Sequence, residues 1–545
     1  MPEKGHRWPR RSAPVFWIGL GGILLLAAGV RFYRLGEEDY GLDELYSMAS
    51  SAGRRAEIEA KPYGRIIRPV GRPADLGLHS TAAEVWRTTT RHDTHPPLYF
   101  LVLYYWRRLV GDGETAVRSL AVVFSVLSIV PVALMGRKTR SSERQAEARG
   151  YRANARNVTY QPRIPIGAEP RAGDSVRAFD PGPFTVTEHL PVAAAPGSDC
   201  IRASLLAGLL LALAYSHIWM AQENRQYSLS ILLISCGFAL LAAGESRWHD
   251  PTGRRKVLLA LLYAATIFLA MLNHYFAGLA ILGQACYALT RFRGPALRWW
   301  LISFGGGSAA VAAVWGGAFL GQLAPIRAEH WLLAQAPDHA WQTLLRLADL
   351  PLRLLVCVPR FQTSLLHSIA GVILLAGSAG LAFRHRGRWA LLFFFWFAVP
   401  ALGLAVMDWT THKETLSQLR YAAIAAPGIA GSVALALVKL RAAVRWTLLT
   451  ALLVTMVIRL ELPAPANSLA RVAASRLQTL AGPEDLVIYS PGCPGSKWCS
   501  DCLRPSTRYW RPVGRSRPKS SVVVRRNRTA TSERCPDPVL ASPFV

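Results

Sequence analysis

The sequence predicts an all-α polytopic membrane protein of about 11 transmembrane helices, with a large first outer loop and a small C-terminal outer segment. Three observations carry this reading. Of 545 residues, 51% are hydrophobic and only 18% are charged, against about a quarter charged in ordinary soluble domains. The apolar residues come in blocks close to the ~20 residues that a helix needs to cross about 30 Å of hydrocarbon. The basic excess, 62 Lys and Arg against 34 Asp and Glu for a net charge of +28, lies largely in turns between those blocks. Such charge suits a nucleic-acid binder, but a soluble one would not carry this hydrophobicity, so no nucleic-acid partner is expected. Disorder over most of the chain is excluded on the same ground. Eight cysteines are too sparse for a disulfide scaffold.

In order, the blocks lie at 14–33, 116–136, 201–219, 227–243, 256–273, 275–290, 299–320, 365–383, 388–407, 421–438 and 444–459. The first follows Lys4, Arg7, Arg10 and Arg11. It is long for a signal peptide and shows no small-residue cleavage site, so it reads as an uncleaved anchor. The stretch Pro97–Val110 is too short to span. It reads as a helix lying on the outer surface or re-entering, opened by Pro96 and Pro97 with Asp93 or Thr94 as its cap. Leaving it out of the count places five Arg-rich connections beside the N-terminus, as the positive-inside rule requires. They carry Arg137/Lys138/Arg140, Arg247/Arg254/Arg255/Lys256, Arg291/Arg293/Arg298, Arg384/Arg386/Arg388 and Lys439/Arg441/Arg445. The N-terminus is then inside and the C-terminus outside. The bias toward Arg, Ala and Gly points to a bacterial plasma (inner) membrane, with membrane lipids as partners.

Four regions follow. Residues 1–136 hold the anchor, the first outer loop and the second span. Residues 137–200 form an Arg/Pro-rich cytoplasmic insertion of disordered composition. Residues 201–460 complete the helical core. Residues 461–545 make the outer segment, with a helix over Ser468–Leu480, a strand over Asp485–Ser490 and a disordered end. Both Arg/Pro-rich stretches also fit an out-of-frame reading of GC-rich coding sequence, which would leave an inactive copy. In the tail, Cys493, Cys499, Cys502 and Cys535 contain one C-x-x-C, short of a zinc-ribbon pattern.

One face gathers the polar clusters. The first outer loop holds Asp39, Asp43, Glu44, Asp93 and His95. Tyr215-Ser216-His217 is followed by Glu223, Arg225 and Tyr227, and a third turn holds Asn273-His274-Tyr275. The loop 321–364 carries Arg327, Glu329, His330, Trp331, Asp338 and His339. Before the tenth span come Asp408, His412, Lys413, Glu414, Arg420 and Tyr421. Each has a plainer reading: Asp43-Glu44 as a solvated acidic pair, His274-Tyr275 as an interfacial anchor, the arginines as headgroup contacts. Together, carboxylates beside a bilayer with converging Arg and His suit transfer from a lipid phosphate. A carboxylate takes a proton from an acceptor hydroxyl, and Arg, or a metal held by acid and His, stabilises the departing phosphate. A transporter or flippase of lipid-linked sugars is the second class, and it calls for ionisable residues in mid-span on several helices.

Four motifs resemble those of GT-C superfamily glycosyltransferases, in the family's order. The nearest pattern is the bacterial protein O-mannosyltransferase-like group, which is also similar to lipid A aminoarabinose transferases. They are Leu42-Asp43-Glu44-Leu45-Tyr46-Ser47, His92-Asp93-Thr94-His95-Pro96-Pro97-Leu98-Tyr99, the run from Tyr215 through Gln222-Glu223-Asn224-Arg225-Gln226-Tyr227, and Arg420-Tyr421 with Pro427. His274-Tyr275 fits a weaker pattern. The resemblance covers residues 14–136 and 201–460, and relatives lack the 137–200 stretch. It implies a hexosyl- or pentosyltransferase with a polyprenyl-phosphate-linked sugar donor, inversion at the anomeric centre, and a protein, lipid or glycan acceptor, working at the periplasmic face. Asp43 is then the essential carboxylate, as base or acceptor-positioning group, and Glu44 assists it or binds a metal. Asp93 and His95 line the acceptor side, Glu223 with Arg225 the donor phosphate side, and Arg420 is a further phosphate ligand. Tyr227, His274 and Tyr421 complete the substrate-binding set. A divalent cation stays open.

Overall fold

In hydrocarbon every backbone N–H and C=O must bond inside its own segment, so the long apolar stretches fold as helices. A computed structural model of the chain describes residues 12–37, 40–59, 76, 79–135, 196–248, 253–328, 339–356, 365–385, 387–460, 486–489 and 521–524. Among these, seven helices are long and apolar enough to cross a membrane: Pro14–Phe32, Glu114–Met135, Tyr227–Glu245, Gly253–Asn273, Gly294–Leu323, Arg388–Thr411 and Leu419–Lys439. A bent pair, Ile201–Leu213 meeting Tyr215–Gln222 at 52°, is long and apolar enough only when its two helices are taken together. The other three expected blocks are the helices Ala277–Arg291, of 15 residues, and Leu365–His385 and Ala442–Leu460, whose apolar parts are the shorter Leu365–Gly377 and Ala442–Ile458. Length and composition therefore mark seven or eight of the expected eleven.

The helices are α1 (Ser12–Phe32), α2 (Leu42–Ser51), α3 (Arg55–Glu59), α4 (Ala82–His92), α5 (Leu98–Val110) and α6 (Glu114–Met135). After residues outside the description come α7 (Pro196–Leu213), α8 (Tyr215–Gln222), α9 (Tyr227–Arg247), α10 (Gly253–Asn273), α11 (Ala277–Arg291) and α12 (Gly294–Ala328). The last set is α13 (His339–Leu355), α14 (Leu365–His385), α15 (Arg388–Thr411), α16 (Leu419–Ala422), α17 (Ala426–Lys439) and α18 (Ala442–Leu460). Helix α9 packs on α6 and α10, α10 on α12, α11 on α15, and α17 against α7 and α15. Phe238 of α9 stacks on Trp396 of α15 at 4.2 Å. The aromatic run around Trp396 thus serves packing.

The bend between α7 and α8 has a visible cause. Ala214 leaves helical geometry (ψ 123), which frees the last carbonyls of α7. Arg31, fully buried at the end of α1, donates to Ala212 O at 2.8 Å and to Ser125 Oγ at 2.8 Å. A cation at a helix C-terminus also suits the helix dipole. Its Nη2 lies 2.7 Å from His217 Nδ1. The same Nδ1 is 3.1 Å from Leu211 O, and His217 Nε2 is 2.9 Å from Ser128 Oγ.

Among the described residues, the segment between α1 and α6 folds as four helices around Met48, Val85, Tyr99, Phe100, Leu103 and Tyr104. Buried Arg107 laces them, donating to Met48 O (2.9 Å), Ser51 Oγ (2.9 Å) and Leu76 O (2.6 Å). Helix α5 occupies the non-spanning stretch, but neither Asp93 nor Thr94 caps it: Pro97 is its N-cap, without a side-chain bond. A residue before proline is pushed out of the α region, so Pro96 and Pro97 delay the helix beyond Asp93, which instead ends α4. Gly111 stops α5 at φ +93, a conformation that favours glycine.

In the C-terminal segment, β1 (Leu486–Tyr489) forms inside the expected strand. It pairs antiparallel with β2 (Ser521–Val524), Leu486 facing Val524. Strand β2 lies within the last stretch, of which only Ser521–Val524 are described. The expected helix at 468–480 and residues 137–195 lie outside the described residues, as does Asp39.

Candidate active site

Five segments meet at one end of the bundle: the start of α2, the turn after α4, the turn 223–226, the turn 274–276, and the stretch from Thr415 to Tyr421. The start of α2 carries adjacent carboxylates with different surroundings. Asp43 Oδ2 is ion-paired with Arg420 Nη1, and its side chain stays 41% exposed. Its backbone carbonyl takes Arg225 Nη1 at 3.0 Å, and the same nitrogen reaches Ser47 Oγ at 3.2 Å. Burial alone would raise the Asp43 pKa; Arg225, Arg420 and His95 outweigh it and hold the carboxyl below its ordinary range.

Glu44 points into the protein. Arg118 of α6 grips it with Nε at 2.8 Å and Nη2 at 2.7 Å, and the amides of Gly41 (2.9 Å) and Asn224 (2.8 Å) complete four donors. The Gly41 bond is the return half of a capping box for α2. Glu44 thus ties α2 to α6 and to the turn carrying Arg225. Among the described residues no three His, Cys, Asp or Glu side chains group as a cation site. With the Glu44 oxygens taken by four donors and Asp43 ion-paired, these residues do not fit a metal as they stand.

Asp93 is buried and accepts from Ser50 Oγ at 2.6 Å and from the His95 amide at 3.0 Å, with His95 Nδ1 also at 3.0 Å. Burial raises its pKa, but those bonds, the His95 charge and Arg55 bring it down to about 2. Gln322, near the end of the long helix α12, donates to Asp93 O at 2.6 Å and Thr89 O at 3.2 Å. Tyr275 OH donates to the same Gln322, and Trp315 Nε1 to Tyr275 OH at 2.9 Å. The acid–histidine turn is thereby fixed to α12 and to the His274 turn.

His95 and His274 face each other with ring centroids 5.9 Å apart. Tyr227, Phe276 and Tyr421 surround His274 at 5.4, 5.4 and 6.3 Å. The Phe276 amide donates to His274 Nδ1 at 3.2 Å, which puts the proton on Nε2. Burial first, then His95, Arg225 and Arg420, hold His274 well below 6.5, so it is neutral at pH 7.

Glu223 stands at the C-terminus of α8, half-buried. Its carboxylate makes no hydrogen bond or ion pair among the described residues, while Asn224 and Arg225 beside it bond to Glu44 and Asp43. Burial and the negative charges of Glu44 and Asp43 lift it to about 7, against the opposing pull of Arg420 and Arg225. Buried polar atoms cluster in the next turn without partners among the described residues: Asn224 Nδ2, Arg225 Nε, both amide atoms of Gln226, Tyr227 OH and, nearby, Asn273 Oδ1.

All ten sequence-derived site residues lie in this region. Ser216 and His217 turn inward instead, bonding Leu354 O and the Arg31 cluster. Asp408 folds its own turn, accepting from the amides of Thr415 (2.7 Å) and Leu416 (2.8 Å). Glu329, His330, Trp331 and Asp338 lie outside the described residues. The sequence reading missed Arg118, Arg31 and Gln322. A lone Arg inside an apolar helix was a signal for the first two; Gln322 carried none. A separate cleft of about 660 Å³ is lined by Arg54, Glu57, His79, Arg87, Arg91 and His92.

No family model matches the chain, and a comparison with curated proteins finds no match. Solved structures do show likeness. ArnT from Cupriavidus metallidurans in the apo state aligns at 16% identity and TM-score 0.47, over 86% of this chain and 70% of that one. The same protein bound to undecaprenyl phosphate aligns at 16% and 0.43, over 85% and 64%. The archaeal oligosaccharyltransferase AglB from Archaeoglobus fulgidus, in complex with an inhibitory peptide and a dolichol-phosphate, aligns at 12% and 0.42, over 86% and 59%.

Proposed function

We propose that this chain is a GT-C-type glycosyltransferase. It moves a sugar from a polyprenyl-phosphate-linked donor to a hydroxyl-bearing acceptor, with inversion, at the periplasmic face of the inner membrane. The observation that carries the reading is the convergence of Arg225 and Arg420 on Asp43 at one end of an apolar helical bundle. Arg420 pairs with the Asp43 carboxylate while Arg225 bonds only the Asp43 backbone carbonyl and Ser47, which leaves positive charge for a departing lipid phosphate. Unpartnered buried polar atoms cost about 1–3 kcal/mol each, and their concentration at 224–227 suits a turn built around a polar ligand. The order of the four motifs supports the same reaction. The acidic His95 turn and the neutral His274, framed by Tyr227 and Tyr421, supply the acceptor side. A transporter or flippase would place its ionisable groups along a mid-span path, whereas buried Arg31 and Arg118 are locked to fixed partners within the bundle.

The test is transfer of labelled sugar from undecaprenyl-phosphate-linked hexoses and pentoses in membranes containing the full chain. Asp43→Asn is expected to lower transfer about 100-fold or more at unchanged protein level. Wild-type rates in that variant refute the role of Asp43.

A further inference from the structure

Four carboxylates stand at this site, and their partners differ. Glu44 is saturated by Arg118 and two amides, and Asp93 by Ser50 and His95. Asp43 is 41% exposed but ion-paired through Oδ2 with Arg420. Arg225, Arg420 and His95 hold its carboxyl below its ordinary range, which makes it the weaker base. A general base needs a lone pair free to accept a proton and a side chain within reach of solvent and substrate. Glu223 meets both conditions: it is half-buried, and its carboxylate is free of hydrogen bonds and ion pairs among the described residues.

We propose that Glu223, and not Asp43, takes the proton from the acceptor hydroxyl, with Asp43 as the positioning carboxylate that fixes Arg420 and Arg225. This rests on the glycosyltransferase reading. As the acceptor O–H bond breaks, its proton passes to a Glu223 oxygen and the acceptor oxygen bonds to the anomeric carbon. The bond from that carbon to the phosphate oxygen breaks, and its electron pair leaves on the polyprenyl phosphate beside Arg225 and Arg420. The balance needs no further reactant. The same surroundings suit the task, because a base poised near neutrality combines the right protonation state with driving force. The charged groups facing Glu223 are Glu44 and Asp43 of α2, Arg420 of α16 and Arg225 of its own turn. From the other helices against α8, Arg31 of α1 and Arg118 of α6 are bound elsewhere, and Arg353 of α13 pairs with Asp349 and Ser417 O.

The experiment uses the full chain in nanodiscs. Infrared titration reads carboxyl protonation, and transfer from undecaprenyl-phosphate-linked hexoses to membrane acceptors is followed from pH 5 to 9. Wild type should show a protonated-carboxyl band disappearing near pH 7 and a rate rising through the same midpoint. Glu223→Gln should lose the band and about 100-fold or more of the rate. Glu223→Asp, keeping a carboxylate, should recover part of the rate with a displaced midpoint. Asp43→Asn should be slow yet keep the rise, its midpoint lower because a like charge is gone. Near wild-type transfer by Glu223→Gln, or an intact pH rise in it, overturns the assignment of the base alone. No transfer by wild type from any of these donors overturns the glycosyltransferase reading, and the base with it.

Discussion

Arg118 and Glu44 show how much a single buried pair can hold. Both are nearly free of solvent contact, at 2% and 5% exposure, and every charge-bearing atom has a partner. Removing one partner of such a pair costs about 3–5 kcal/mol because the other charge stays buried. Arg118→Ala should therefore lower thermal stability in detergent and loosen α2, while Arg118→Met with Glu44→Met restores much of the loss; an unchanged melting midpoint in the single variant contradicts this. Glu223 makes the opposite prediction. Its carboxyl pKa is raised to about 7 from an ordinary 4.5, so ionisation is unfavourable in the folded state. The stability present below the ordinary value is lost as pH rises through 7. Glu223→Gln should raise the melting temperature at pH 8 and leave it nearly unchanged at pH 5. Asp93, depressed to about 2, contributes stability above its ordinary 3.8 that is lost as pH falls toward 2. At this scale, the residue types at the site were legible from sequence. Their division of labour was not, because Asp43 and Glu44 are neighbours whose side chains diverge by one helical step into different surroundings.

Helix crossings depend on small residues. On α17, a Cβ at Gly428 would lie 2.6 Å from the Phe397 backbone nitrogen and 2.9 Å from the Trp396 carbonyl carbon of α15. Backbone cannot yield as a side-chain tip does, so Gly428→Ala should push the helices apart and destabilise by about 1–3 kcal/mol, measured as a lower midpoint in detergent melting. Since α16, with Arg420, leads into α17, sugar transfer should fall as well. Helix α12 shows the reach of a long span. Its 35 residues extend about 52 Å at 1.5 Å per residue, well beyond the ~30 Å hydrocarbon core, and the overhang brings Gln322 to Asp93. Apolar length announced this helix in the sequence. Nothing there announced the contact, because one glutamine near a helix end is ordinary composition.

Across the whole molecule, orientation decides which compartment the site serves, and the charge asymmetry of the turns predicts it. In a chain whose native cysteines are replaced by serine, His79→Cys, in the first outer loop, should react with a membrane-impermeant maleimide in intact cells permeable only at the outer membrane. Arg254→Cys, at the start of α10, should react only after the inner membrane is opened. The reverse pattern would invert the topology and place the site in the cytoplasm. The sequence by itself determined the helical membrane class, the positions of the apolar blocks and the five segments that meet at one end. It could do so because hydrocarbon admits few backbone solutions and because charge resists translocation. Only the tertiary structure decided that Arg420 reaches back 377 residues to Asp43, that Arg118 claims Glu44, and that the Glu223 oxygens meet no partner among the described residues. Those outcomes depend on distances between helices far apart in the chain, which side-chain packing sets and local pattern does not encode.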